Sequence, residues 1–223
     1  MILLGVDTST RWASVGLQVD SDEITERVWR SDQNHGRELM PAVFDLLNAA
    51  GLSPEDITHL AVALGPGGFS ALRVGLTTVI GLAMPRSLPV AGVPTHAIEA
   101  KPYLSRLTPD VALYSILPAG RNELSWAKFT PPDASLAESG LCPVTEFVGL
   151  ISANDYVCGE AAEQLAGKVP PERIIGSRPP TRKPESLITL AQRRFESVGP
   201  TSPTALRPIY ARPPNISNPS AGR

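Results

Sequence analysis

Ile2-Leu3-Leu4-Gly5-Val6-Asp7-Thr8-Ser9-Thr10 is an apolar run that ends in an acid and three hydroxyls. A second run, Leu60-Ala61-Val62-Ala63-Leu64, passes as abruptly into Gly65-Pro66-Gly67-Gly68-Phe69-Ser70-Ala71-Leu72-Arg73-Val74-Gly75. A strand that runs through glycines into a helix presents backbone N–H groups at the positive helix end, where a phosphate can bind. Neither stretch is a GxxxxGK[ST] loop or a GxGxxG turn opening a helix. The two turns point to a nucleotide-type α/β fold without establishing a nucleotide.

Working outward, residues 2–7, 12–19 and 24–30 read as three consecutive antiparallel strands bounded by polar turns. A helix is predicted over 36–50, ended by Gly51, with Pro41 either in its first turn or at a kink. Then follow a turn at 53–56, a strand over 57–64, a helix over 69–84 closed by Pro85, and a strand over 89–93. A second unit opens near Thr108, with strands over 111–117, 124–129 and 156–158 and helices over 159–166 and 186–198. The pattern between 130 and 154 is weak. The β-β-β-α-β-α order, with a shorter counterpart behind it, predicts a duplicated α/β architecture. The expected boundaries are 1–107, 108–198 and a Pro-rich basic tail over 199–223.

A chain of 223 residues, 42% hydrophobic and 19% charged, can bury a substantial core. No apolar run reaches the roughly 18 residues that span a bilayer, and no basic segment precedes the first strand. Cys142 and Cys158 lack zinc or CxxC spacing and read as reduced, so a cytoplasmic location and no membrane association are expected. A net charge of −2 argues against an autonomous nucleic-acid binder. Charge is uneven, however: residues 170–223 hold 9 basic and 3 acidic side chains and 11 of the 23 prolines. That excess reads either as a solvated tail or as a basic strip near RNA or an acidic partner.

Gly5 to Thr10 resembles the first phosphate motif of the actin, sugar-kinase and Hsp70 superfamily. Gly65 to Gly75 is similar to the GPGSFTGLRVG segment of the bacterial TsaB (YeaZ) family, with Gly68, Ser70 and Ala71 replacing its Ser, Thr and Gly. His35, Leu39 and Pro41 resemble its H-x-x-x-L-x-P helix start, and Pro208, Tyr210 and Arg212 its C-terminal P-x-Y-x-R. In the second half Glu123 matches, while Pro118 stands at a position where the family often shows an Asp. The resemblance implies a two-lobed actin-like ATPase (ribonuclease H-like) fold whose second lobe is a degraded copy of the first. It also implies a non-catalytic scaffold for the homologous catalytic subunit TsaD, joined by the ATPase TsaE. Together these transfer a threonylcarbamoyl group to the adenosine 3′ of the anticodon in tRNAs reading ANN codons.

The residues bear on this in four ways. Asp7, Thr8, Ser9, Gly65, Gly67 and Gly68 form a vestigial nucleotide site at most. No Asp-x-Gly-Gly turn supplies the second acid that phosphoryl transfer needs, which leaves no cofactor beyond weak ATP or ADP binding. A turn held by side-chain-to-backbone bonds is the alternative reading of Asp7-Thr8-Ser9. No metal site is expected, because His35 has Leu39 at i+4 and His59 and His96 have no partner in sequence. Helices 36–50 and 69–84 are apolar beyond a single stripe, and Ala71, Gly75 and Thr78 form a small-residue seam. The expectation is a contact set of Leu39, Val43, Leu47, Leu72, Leu76 and Val79 for TsaD, and for a homodimer when the chain is alone. Aromatic content of 5% leaves tRNA contact to the complex. The rivals are an ATP-dependent phosphotransferase using Asp7, and a glycoprotease-type metallopeptidase.

Overall fold

The computed structural model describes residues 1–120, 122–176 and 182–212. β1 (Ile2–Asp7) is the middle strand of a five-stranded sheet ordered β3 (Thr25–Arg30), β2 (Trp12–Val19), β1, β4 (His59–Gly65), β5 (Val90–Pro94). β1, β4 and β5 are parallel, while β2 and β3 turn back as an antiparallel meander. Both faces of this sheet are covered. That is why β1 and β4 read as continuous apolar runs rather than alternating ones.

On one face lie α1 (His35–Ala49) and α2 (Phe69–Ala83); α1 carries Pro41 in its interior and starts ahead of it. On the other face lie α3 (Thr95–Leu104) and α5 (Pro184–Ser197), the latter packed on β1, β2, β4 and β5. The sequence reading placed 186–198 with the second unit; the structure shows that this helix completes the first sheet's core. α3 was not predicted. It is enclosed on nearly all sides and carries Pro102, so it has no polar stripe to mark it as a helix.

The second sheet is ordered β8 (Leu136–Pro143), β7 (Glu123–Phe129), β6 (Leu113–Pro118), β9 (Tyr156–Cys158). β8 is a largely exposed edge strand without alternation, and α4 (Val144–Leu150) follows it, so the weak pattern of 130–154 hid two elements. The helix expected over 159–166 is only a 3-10 turn, Ala162–Leu165. Tyr114, Leu124, Phe147 and Leu165 anchor this lobe's own core.

The expected contact set is corrected here. Leu39, Val43, Leu47, Leu72, Leu76 and Val79 are all 4% exposed or less; all but Leu72 belong to the core between α1, α2 and the sheet, and Leu72 lies against Gly65. The apolar surplus read from the sequence is consumed by sheet and neighbouring helix together. A charge at Val43 or Leu76 would unfold the lobe rather than free a surface. What α1, α2 and the turn that follows α2 expose is Phe44, Phe69 and Met84, with Met40, Val74, Ile80 and Leu82 half-buried.

Candidate functional site

The end of β1 is closed by its own polar side chains. Asp7 Oδ1 accepts the Ser9 N–H at 2.8 Å and the Ser9 hydroxyl at 2.5 Å. The Thr8 hydroxyl donates to the Ala71 carbonyl at 2.7 Å and accepts the Gly75 N–H at 3.1 Å. Gly75, the middle residue of the small-residue seam on α2, therefore faces inward onto Thr8 and is closed to another helix. Asp7, Thr8 and Ser9 are each at most 2% exposed.

The two glycine turns lock onto one another. Gly68 N–H donates to the Ser9 carbonyl at 2.8 Å, and Gly67 lies so close that a Cβ there would stand 2.0 Å from the same oxygen. Gly67→Ala therefore forces the turns apart. We expect a loss of about 1–3 kcal/mol in urea-unfolding free energy, the usual range for overpacking. Beneath them Ile209 N–H donates to the Leu64 carbonyl at 2.7 Å. Gly65, at φ +103°, leaves room for that strap, where a Cβ would meet Ile209 O at 2.3 Å. Tyr210 packs on Phe69 and accepts from Arg73 Nε at 3.2 Å, and Arg212 pairs with Glu123 across to the second sheet.

Arg182 decides the chemistry of this site. Its side chain is 1% exposed, and its Nε meets Asp7 Oδ2 at 2.6 Å. Nη1 lies 2.5 Å from Glu160 and 3.4 Å from Glu99, while Nη2 donates to Thr10 Oγ1 at 2.8 Å and to the Trp12 carbonyl at 3.1 Å. One guanidinium thus joins β1, β2, α3 and the Gly159–Ala162 turn after β9. Burial alone would pull its proton off, but the three carboxylates outweigh that and hold it charged. Glu99 pays for the crowding: burial, against the pull of Arg182, pushes its carboxyl up to about 7. No motif marks Arg182; its only trace in the sequence is the basic excess after residue 170.

A nucleotide's Mg²⁺ does not fit here. Both Asp7 oxygens are engaged inside the protein, and a permanent cation stands among the acids that could have held a metal. No group of three or more candidate metal ligands exists among the described residues. Beside this plug a cleft of about 770 Å³ opens between the lobes, lined by Arg11, Gln33, His35, Gly68, Ser70 and Pro118. The α2 N-terminus faces it, and His35 Nε2 holds its rim by a 2.8 Å contact to Thr10 O. His96, in the first turn of α3, has no partner by sequence spacing. It is instead buried between two serine hydroxyls, Ser115 at 2.9 Å and Ser125 at 3.0 Å.

The family model described as "TsaD: tRNA N6-adenosine threonylcarbamoyltransferase" matches residues 29–182. The chain belongs to this family. Within it the chain falls with the TsaB (YeaZ) proteins. It is 33% identical over 93 residues to the tRNA threonylcarbamoyladenosine biosynthesis protein TsaB of Bacillus subtilis, covering 42% of this chain and 41% of that one. To the TsaB of Escherichia coli it is 31% identical over 129 residues, 58% of this chain and 55% of that one. The chain thus spans about half the length of the curated relatives it matches. YeaZ from Pseudomonas aeruginosa superposes with a TM-score of 0.79 at 22% identity, covering 94% of this chain and 99% of that one. That likeness bears out the two-lobed actin-like fold. No helix among the described residues is long and apolar enough to cross a membrane.

Proposed function

We propose that this chain is a non-catalytic subunit in the synthesis of threonylcarbamoyladenosine in tRNA, holding a TsaD catalytic subunit in its working form. The names of its TsaB relatives support the pathway, and one structural observation carries the non-catalytic role: Asp7 is saturated by Arg182 and Ser9. An ATP-dependent phosphotransferase would need that acid free for metal and nucleophile. A nucleotide entering the 770 Å³ cleft would find the α2 N-terminus but no free acid for its Mg²⁺, so it would bind weakly and without turnover. TsaE and tRNA then meet this subunit through the complex.

The docking surface in this reading is the outer side of α1 and α2, centred on Phe44 and Met84, which are 42% and 58% exposed. Alone, the chain would cover that side with a second copy of itself. Co-purification with the TsaD of the same organism, followed by a tRNA modification assay with and without this chain, tests the role. Phe44→Glu with Met84→Glu should leave the fold intact by circular dichroism. It should weaken TsaD capture by about 2–4 kcal/mol, roughly 30- to 1,000-fold, as expected for charged replacements at an aromatic anchor. Undiminished capture would move the interface elsewhere. ATP turnover by the purified chain that vanishes in Asp7→Asn would overturn the non-catalytic role.

A further inference from the structure

A second cavity, of about 470 Å³, lies between β5, α3 and α5 of the first lobe and β7 and β8 of the second. It shares no lining residue with the cleft beside Arg182. Its size falls in the range of small-molecule sites. Val93, Ala97, Phe129, Leu136 and Leu190 make most of its wall apolar. The strap of Ile209, Tyr210 and Ala211 closes one side.

The polar groups in that wall are few and unequal. His96 and Ser125 satisfy each other, and burial followed by the charge of Arg182 lowers the imidazole to about 3, so His96 brings no charge. Arg194 does bring one. Its Nε is shielded from water and has no hydrogen-bond partner, and Nη2 reaches Thr201 only at 3.5 Å. Among the described residues no carboxylate pairs with it, in contrast to Arg182 and Arg212. A guanidinium presents donors in a planar fork that matches a carboxylate, and a buried donor left unpaired is costly.

We propose that this cavity binds a small monocarboxylate with an aliphatic or aromatic body, its carboxylate on Arg194 and its body against Val93, Phe129 and Leu190. The charge complementarity selects an acid over an alcohol or amine of the same shape, and the apolar wall selects against polyanions such as nucleotides.

Titration calorimetry of the full chain with octanoate and with octan-1-ol tests this. Octanoate should saturate a single site, with octan-1-ol at least about tenfold weaker. Arg194→Gln should reduce octanoate to the level of the alcohol. Ala134→Phe, which fills the cavity from its half-buried rim, should abolish both. No octanoate binding, equal binding of the two probes, or octanoate binding unchanged in Arg194→Gln would each overturn the proposal. Should Arg194→Gln fail to fold, the preference for acid over alcohol on the unmodified chain decides alone.

Discussion

Replacing Arg182 with Met is expected to cost this protein about 3–5 kcal/mol, the range for breaking a buried ion pair from one side. The reason is arithmetic of charge rather than loss of one contact. Arg182 is the shared partner of Asp7, Glu99 and Glu160, and its side chain is almost wholly buried. Met keeps much of the volume but leaves three acids facing each other without a cation. Protonation of Glu99 relieves part of that repulsion, while the Ser9 N–H and hydroxyl hold the Asp7 carboxyl in place at the end of β1. Urea unfolding of Arg182→Met, Asp7→Asn and the double variant measures the coupling. The double should be markedly less destabilised than the sum of the singles, since Asn removes one of the stranded charges. A loss under about 1 kcal/mol in Arg182→Met would mean the network is ornamental, in the range of exposed ion pairs. Arg182 would then be no plug for this site.

Much of the first lobe was legible because its local signals agree with its tertiary ones. Gly51 ends α1 at positive φ, and β1 and β4 are apolar along their length because helices cover both sides. The same signals misled about the surface. An apolar arc on α1 and α2 cannot tell a partner's face from the combined footprint of a sheet and an adjacent helix, so core residues were read as contacts. α3 and β8 escaped for opposite reasons, one enclosed all round and the other exposed on its edge, which erases periodicity in both. Asp7, Thr8 and Ser9 are buried at the end of β1 and do not line the cleft; of the two readings the sequence allowed, the structure shows the side-chain-to-backbone anchors. Arg182 was invisible because its partners lie between 22 and 175 residues away along the chain, and no spacing rule links them.

Glu99→Gln is expected to change how stability depends on pH. The Glu99 carboxyl rises from its ordinary 4.5 to about 7 in the folded protein, through burial first and the neighbouring Glu160 and Asp7 as well, with Arg182 opposing. Between those two values the folded chain holds a proton that the unfolded chain releases. Stability from this group is therefore intact below pH 4.5 and falls as pH rises to 7, by up to about 3 kcal/mol. His96 works the other way. It is lowered from 6.5 to about 3, so the unfolded chain takes up the proton first and stability climbs between those values as pH rises. In the wild type the two slopes oppose one another from pH 4.5 to 6.5, giving a flat top and then a decline toward 7. In Glu99→Gln only the His96 slope remains, and stability should keep climbing to pH 6.5 and hold beyond it. Urea-unfolding free energies at pH 4, 5, 6, 7 and 8 give the difference between variant and wild type, in which every other titrating group cancels. That difference should grow by about 3 kcal/mol across the range. Parallel profiles would show that Glu99 titrates alike in both states, and that Arg182 shields it despite its burial. Both shifts start from burial, which disfavours the imidazolium and the carboxylate alike, while the guanidinium of Arg182 adds to the first and opposes the second.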